Sequence, residues 1–276
     1  MASPAPASRR LELGLLDAFL FDLDGVVTRT TALHAAAWKR LFDEYLAGRA
    51  AADGAALVPF DAVEDYLRYV DGRPRAAGVE SFLAARGMSL PPGRSEDGPE
   101  SETLNGLGNR KDRYFTEALE QRGVEVFEGA VRFIREARAR GVRTAIVSSS
   151  RSAAAVLDAA GVSRLFDARV DGIDLERLGL AGKPAPDSFL EAARRLGARP
   201  RRAAVFEDAL VGVAAGRAGR FRLVVGVGRG VHAEALRARG ADVVVGDLGE
   251  LILAGGPVAA TPGRRGRSDL SARERP

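Results

Sequence analysis

The sequence predicts an α/β fold with a doubly wound parallel-sheet (Rossmann-like) core and an inserted α-helical cap domain. Short apolar runs recur in two separated parts of the chain with amphipathic stretches between them, a pattern typical of a parallel sheet covered on both faces. The predicted strands are 18–22, 143–148, 166–170, 203–206, 223–227 and 242–245. The predicted helices between them are 130–140, 152–160, 186–196 and 210–218.

The interval between the first predicted strand and the rest of the sheet has a different character. From Thr30 to Phe127 the strand pattern is almost absent, and helices are predicted at 32–46, 62–69, 79–85 and 111–120. We therefore expect a core made of 11–30 and 128–255, a helical cap at 31–127, and a disordered tail at 256–276.

Composition excludes several classes of protein. No apolar run approaches the roughly 18 residues of a membrane span, and Glu12 and Asp17 interrupt the apolar stretch that follows Arg10. The absence of cysteine favours a cytoplasmic protein. The net charge of +4 lies largely in 263–275, and aromatic residues are not interleaved with the basic ones. We expect a monomer that binds neither nucleic acid nor membranes.

Acidic residues end the first predicted strand. Asp22 and Asp24 are two residues apart, so their side chains can point into one site, and Gly25 permits a tight turn after them. Asp-x-Asp alone is weak evidence, because it also occurs in solvated loops and in many metal sites. Ser148 ends the second predicted strand, and the carboxyl ends of parallel strands meet at one edge of a sheet.

Further charged residues are predicted near this edge. Lys183 directly precedes a predicted helix, and Glu207 and Asp208 follow the predicted strand 203–206. Only three of the 41 basic residues are lysines, so a compact ammonium is expected to matter where lysine is kept. We attribute Lys39 to chance and expect functional roles for the other two.

These residue types suit phosphoryl transfer. A carboxylate can attack phosphorus to form an aspartyl phosphate, while a second carboxylate protonates the leaving group and later deprotonates the acceptor. Mg²⁺ screens the repulsion between the anions, and a hydroxyl and an ammonium take up the remaining charge. Each carboxylate alone could equally be a helix cap, so the set as a whole carries the prediction.

The set resembles the four motifs of the haloacid dehalogenase superfamily over roughly residues 18–250. In order, the motifs are Phe-Asp-Leu-Asp-Gly-Val-Val-Thr from Phe21, then Ser148, Lys183 and the pair Glu207-Asp208. The resemblance implies that Asp22 is the nucleophile, Asp24 the general acid and base, and Ser148 and Lys183 the phosphate ligands. Asp24 argues against dehalogenation, because cleavage of a carbon–halogen bond needs no proton for the leaving group.

The resemblance also implies a magnesium site. The expected ligands are Asp22, the main-chain carbonyl of Asp24, and Asp208, with Glu207 in or near the coordination shell.

Within the superfamily the chain is similar to the β-phosphoglucomutase-like group with a helical cap. His34 and Trp38 have the spacing that the group uses, and Asp-Gly-Arg-Pro-Arg at 71–75 resembles its substrate-recognition segment. The resemblance implies substrate-binding roles for His34, Trp38, Arg75 and Lys111, with Arg75 on a phosphate.

The implied activity is interconversion of β-glucose 1-phosphate and glucose 6-phosphate through an aspartyl phosphate and β-glucose 1,6-bisphosphate. A magnesium-dependent sugar-phosphate phosphatase is the alternative, and a silent binding module is a third interpretation. Arg29 and Asp112 depart from the group's usual residues, and the cap is longer around 48–58 and 88–105. These departures affect the choice of substrate and leave the chemistry intact.

Overall fold

The computed structural model describes residues 9–53 and 58–255, so the predicted tail lies outside the described residues. The strands are β1 (Arg10–Glu12), β2 (Ala18–Phe21), β3 (Arg143–Val147), β4 (Ala168–Val170), β5 (Ala203–Glu207), β6 (Leu223–Val227), β7 (Val243–Val245) and β8 (Ile252–Ala254). Six of them form a parallel sheet in the order β4-β3-β2-β5-β6-β7, which confirms the predicted fold class. All six predicted strands form, with ends that match the prediction or differ from it by at most two residues.

Helices cover both faces of this sheet. The α-helices of the chain are α1 (Thr31–Asp53), α2 (Arg75–Ala85), α3 (Leu104–Arg122), α4 (Glu128–Ala139), α5 (Ala153–Ala159), α6 (Gly172–Leu178), α7 (Asp187–Arg195), α8 (Leu210–Ala218) and α9 (Gly230–Arg239). Because strand side chains alternate between faces, Phe19 and Phe21 of β2 pack with α4, whereas Ala18 and Leu20 pack with α7. The central strand is therefore buried on both sides, and its position is fixed from both.

Helices α1, α2 and α3 lie between β2 and β3, together with a π-helical turn at Tyr66–Val70 where the sequence predicted an α-helix at 62–69. Phe42 joins them at the centre, with its ring 4.0 Å from that of Phe82 and 5.3 Å from that of Trp38. Helix α3 begins earlier than predicted because Thr103 caps it, accepting a hydrogen bond from the Gly106 N–H at 2.9 Å.

Two neighbouring backbone segments join this helical part to the sheet. Thr28 forms an antiparallel bridge with Val126. On either side of the bridge, the Arg29 N–H donates to the Glu125 carbonyl at 2.8 Å and the Phe127 N–H to the Val27 carbonyl at 2.9 Å. The chain thus leaves and re-enters the core along one hydrogen-bonded connection.

Three features of the core were not predicted: helix α6, helix α9 and the small parallel pair of β1 with β8. Among the described residues, the helices are all too short or too polar to cross a membrane.

Candidate active site

The two aspartates of the first motif follow β2 at the carboxyl edge of the sheet. The Asp22 N–H donates to the Phe206 carbonyl at 2.9 Å, which continues the pairing of β2 with β5 beyond the end of the strand. Gly25 turns the backbone at a φ of +90°. A Cβ on Gly25 would lie 1.9 Å from the Asp208 carboxylate, so the turn brings the first motif directly against the last.

Lys183 lies between two buried carboxylates. Its ammonium donates to Asp22 Oδ1 and, at 2.7 Å, to Glu207 Oε2. The side chains of Lys183 and Glu207 are 1% and 0% exposed. Burial alone would lower the pKa of Lys183, but the charges of Asp22 and Glu207 raise it above its ordinary value. The ammonium therefore stays charged in this site.

The carboxylates here outnumber the ammonium that balances them. Oxygen atoms of Asp22, Glu207 and Asp208 all lie within 4.8 Å of one another. Burial, reinforced by Glu207, raises the pKa of Asp22 well above its ordinary value, with Lys183 opposing. Burial and the charges of Asp71 and Asp22 likewise raise the pKa of Asp208 well above its ordinary value. A buried set of carboxylate oxygens with excess negative charge fits a divalent cation such as Mg²⁺.

Asp24 has a different environment from its neighbours. Its Oδ1 accepts a hydrogen bond from the Thr30 hydroxyl, and Ser148 Oγ donates to Oδ2 at 3.4 Å. Burial alone would raise the pKa of Asp24, but His34 and Thr30 together hold it near 2. Asp24 is therefore a carboxylate at neutral pH.

His34 connects Asp24 to the helical part of the protein. Lys111 Nζ lies 2.8 Å from His34 Nδ1. An ammonium can only donate, so Nδ1 is the acceptor and Nε2 carries the proton. Nε2 lies 3.2 Å from Asp24 Oδ1, off the ideal hydrogen-bond line. Burial and Lys111 lower the pKa of His34, which favours the neutral ring. The ring stacks on Phe115 at 3.9 Å, while Trp38 lies 5.4 Å from the Lys111 ammonium.

Arg75 begins helix α2 and has acidic neighbours. Nε donates to Asn109 Oδ1 at 3.1 Å and lies 3.5 Å from Asp112 Oδ2. Nη1 donates to Glu176 Oε1, on core helix α6, at 2.9 Å. The residue predicted to bind phosphate is therefore already paired with a carboxylate of the core.

The residues predicted for the site converge on one cleft between the sheet edge and the helical part. Those that line it are Asp22, Asp24, His34, Trp38, Arg75, Lys111, Ser148, Glu207 and Asp208. Lys183 contacts Asp22, which is one of these lining residues.

The family follows from comparison with known proteins. A family model described as a haloacid dehalogenase-like hydrolase matches residues 16–220. The chain belongs to this family.

Its relatives in the haloacid dehalogenase-like family include β-phosphoglucomutases. The chain is 51% identical to the β-phosphoglucomutase of Mycobacterium bovis over 253 residues, covering 90% of this chain and 97% of the relative. It is 31% identical to that of Bacillus subtilis over 240 residues, covering 86% and 92%. The crystal structure of β-phosphoglucomutase from Clostridium difficile superposes with a TM-score of 0.68 at 24% identity, covering 86% of this chain and 93% of that one. The chain is a haloacid dehalogenase-family enzyme of the β-phosphoglucomutase-like group.

Asp71 and His232 are among the residues near the site that were not predicted as site residues from the sequence. Asp71 lines the cleft, and burial and the charge of Glu207 raise its pKa to about 7. His232 Nε2 donates to the main-chain carbonyl of Asp208 at 2.7 Å, because a carbonyl oxygen can only accept. Asp71 lies within the recognised 71–75 segment, which was a usable signal. His232 follows a glycine-rich turn far from the motifs, and no local pattern distinguishes it.

Proposed function

We propose that this chain is a cytoplasmic β-phosphoglucomutase that converts β-glucose 1-phosphate into glucose 6-phosphate through β-glucose 1,6-bisphosphate. The observation that carries the proposal is the placement of Asp24 between the core and the helical part. A phosphatase and a mutase share the nucleophile, but a mutase must favour a sugar hydroxyl over water. Coupling the proton-transferring residue to a sugar-binding cap, through His34 and Lys111, supports that preference.

The proposed chemistry begins with the aspartyl phosphate on Asp22. Asp24, which is ionised, accepts the proton of a sugar hydroxyl while that oxygen forms a bond to phosphorus and the bond from phosphorus to Asp22 breaks. The bisphosphate then reorients. Asp22 attacks the other phosphate, and Asp24 returns its proton to the sugar oxygen that leaves. The proton taken in the first half is thus given back in the second.

The remaining core residues stabilise charge on the transferring group. The Lys183 ammonium is fixed by Asp22 and Glu207, so it requires little reorganisation during the reaction. Ser148 lies beside Asp24 and would donate its hydroxyl to a phosphate oxygen. Mg²⁺, held by Asp22, Asp208 and the Asp24 carbonyl with Glu207 close by, would neutralise the anions that must approach one another.

The helical part supplies the proposed sugar and phosphate contacts. We propose that α1, α2 and α3 act as a cap that excludes water from the aspartyl phosphate while a sugar is bound. Arg75 would hold the phosphate that is not being transferred, and Trp38 and Lys111 would border the sugar. A bidentate guanidinium is well suited to the first of these roles.

The test is incubation with β-glucose 1-phosphate and Mg²⁺, with and without a catalytic amount of β-glucose 1,6-bisphosphate, measuring glucose 6-phosphate and inorganic phosphate separately. We expect glucose 6-phosphate to dominate, activity to disappear in EDTA, and Mg²⁺ to restore it. Formation of inorganic phosphate alone from every sugar phosphate tried would instead establish a phosphatase. Activity that survived exhaustive chelation would reject the metal assignment.

A further inference from the structure

The Arg75 guanidinium is only partly satisfied by its surroundings. Its side chain is 9% exposed, and Nε is held by Asn109 and Asp112. Nη1 pairs with Glu176. Nη2 is buried and has no hydrogen-bond partner among the described residues. This buried guanidinium nitrogen, on a residue that lines the cleft, is a donor that a ligand oxygen would satisfy.

Glu176 bridges two arginines from different parts of the molecule. Oε1 accepts from Arg75 of helix α2 at 2.9 Å, and Oε2 lies 3.9 Å from Nη1 of Arg151, which follows β3 and also lines the cleft. The Glu176 carboxylate thus occupies, from the core side, a position between two guanidinium groups. This is the arrangement of charges that a phosphate group would seek.

Helix α6 fixes Glu176 in this position. Asp171 caps the helix by accepting the Ile173 and Asp174 N–H groups at 3.0 and 3.1 Å. Asp174 is tied to Arg195 of helix α7 at 2.8 Å, and this hydrogen bond is the largest cause that lowers the pKa of Asp174 to about 2. Glu176 therefore projects from an anchored helix.

We infer that Glu176 is a counter-ion that the non-transferring phosphate of the substrate displaces from Arg75, so that this end of the cleft selects phosphorylated sugars. The inference rests on the proposed function, in which Arg75 binds that phosphate. A phosphate dianion offers more charge and more acceptor oxygens than the carboxylate, so it can replace Glu176 on Nη1 and also satisfy Nη2. An uncharged sugar hydroxymethyl group cannot compete with a carboxylate for a guanidinium. Asn109 and Asp112 keep Nε in place during the exchange.

The test is the affinity for glucose 6-phosphate, measured by calorimetry on the parent and on Glu176→Gln. Removal of the competing charge should tighten binding by about two- to fivefold, the effect of one partly exposed ion pair. Glu117→Gln is the matched control: Glu117 accepts from Arg40 Nη1 at 2.8 Å and is 44% exposed, against 38% for Glu176, but its partner Arg40 does not line the cleft, whereas Arg75 does. This control should leave the affinity unchanged. If Glu176 only orients Arg75, Glu176→Gln should weaken binding, so weaker, unchanged or undetectable binding overturns the inference.

A double-mutant cycle separates competition from a general change in charge. In an Arg75→Ala background, Glu176→Gln should no longer tighten binding; an equal gain there contradicts displacement from Arg75. The titration needs no turnover, so its result is independent of whether the parent isomerises β-glucose 1-phosphate. A parent that produces no glucose 6-phosphate refutes the proposed function and leaves the affinity comparison standing.

Discussion

The Lys183 ammonium balances negative charge inside the protein. Its removal should lower the free energy of unfolding by an amount that follows from its contacts. It contacts the carboxylates of Asp22 and Glu207, whose side chains are 9% and 0% exposed. Lys183→Met keeps an unbranched apolar side chain but leaves both carboxylates buried without a positively charged partner. Removing one partner of a buried ion pair costs about 3–5 kcal/mol. Since each kcal/mol shifts the Tm of a chain this size by about 2–4 °C, we expect a Tm lower by roughly 6–20 °C.

Thermal denaturation in EDTA at neutral pH measures this loss, and Lys39→Met is the control. Lys39 donates to Asp43 at 2.8 Å and to the Phe60 carbonyl at 3.0 Å, but its side chain is 45% exposed and that of Asp43 is 35% exposed, so water can replace the ammonium. Such a pair contributes at most about 1 kcal/mol, so the control should lose no more than about 4 °C. If Lys183→Met and Lys39→Met have the same Tm, Lys183 does not balance the charge of the buried carboxylates.

The difference in Tm between Lys183→Met and the parent should also become smaller in acid. Burial and Glu207 raise the pKa of Asp22, so the folded chain binds a proton at a pH where the unfolded chain has lost it. Stability then rises as the pH falls toward the ordinary carboxyl range, and more so once the opposing charge of Lys183 is gone. A Tm difference from the parent that stays constant between neutral pH and about pH 5 would contradict this cause.

Three further changes test other parts of the site. Asp22→Asn should lower kcat/KM by at least about 10³-fold with an unchanged circular dichroism spectrum, because an amide does not attack phosphorus; retention of more than a few per cent of activity would exclude Asp22 as the nucleophile. His34→Ala should lower the ratio of glucose 6-phosphate to inorganic phosphate, since it removes the link from Lys111 to Asp24, and equal losses of both products would leave His34 a merely structural role. Burial and Glu207 raise the pKa of Asp71 to about 7, which disfavours the folded state as Asp71 ionises. Asp71→Asn should therefore be more stable than the parent near pH 8, with the difference vanishing toward about pH 4; denaturation midpoints that differ equally at both pH values would contradict this.

The fold was predictable where local pattern and tertiary structure agree. The strands of the central sheet are apolar runs buried on both faces, and helix α8 was predicted with its observed ends, Leu210 and Ala218. Helix α6 is one short helix whose stability comes from the Asp171 cap and the Asp174–Arg195 pair, which sequence periodicity does not reveal. The pair of β1 with β8 joins opposite ends of the chain through three residues each, so neither segment carries a strand pattern.

The site was predictable to the extent that strand ends must meet at one edge of the sheet. Asp22, Ser148 and Glu207 each follow or end a strand there, and Lys183 was marked by the rarity of lysine. The pairing of Arg75 with Glu176 could not be inferred, because it depends on how two distant segments come together across the cleft. Contacts of that kind are set by tertiary packing and leave no local periodicity.

The bridge between Thr28 and Val126 has a consequence for how such proteins diversify. Because the entry and exit of the helical insertion are neighbours held by hydrogen bonds, an insertion of any length closes the same short gap in the core. The entropy of loop closure grows only with the logarithm of length, so lengthening or exchanging the insertion costs the sheet little. A recombination event with both crossovers at this point could transplant a new substrate-recognising segment onto unchanged chemistry, and an engineer could graft one there in the same way.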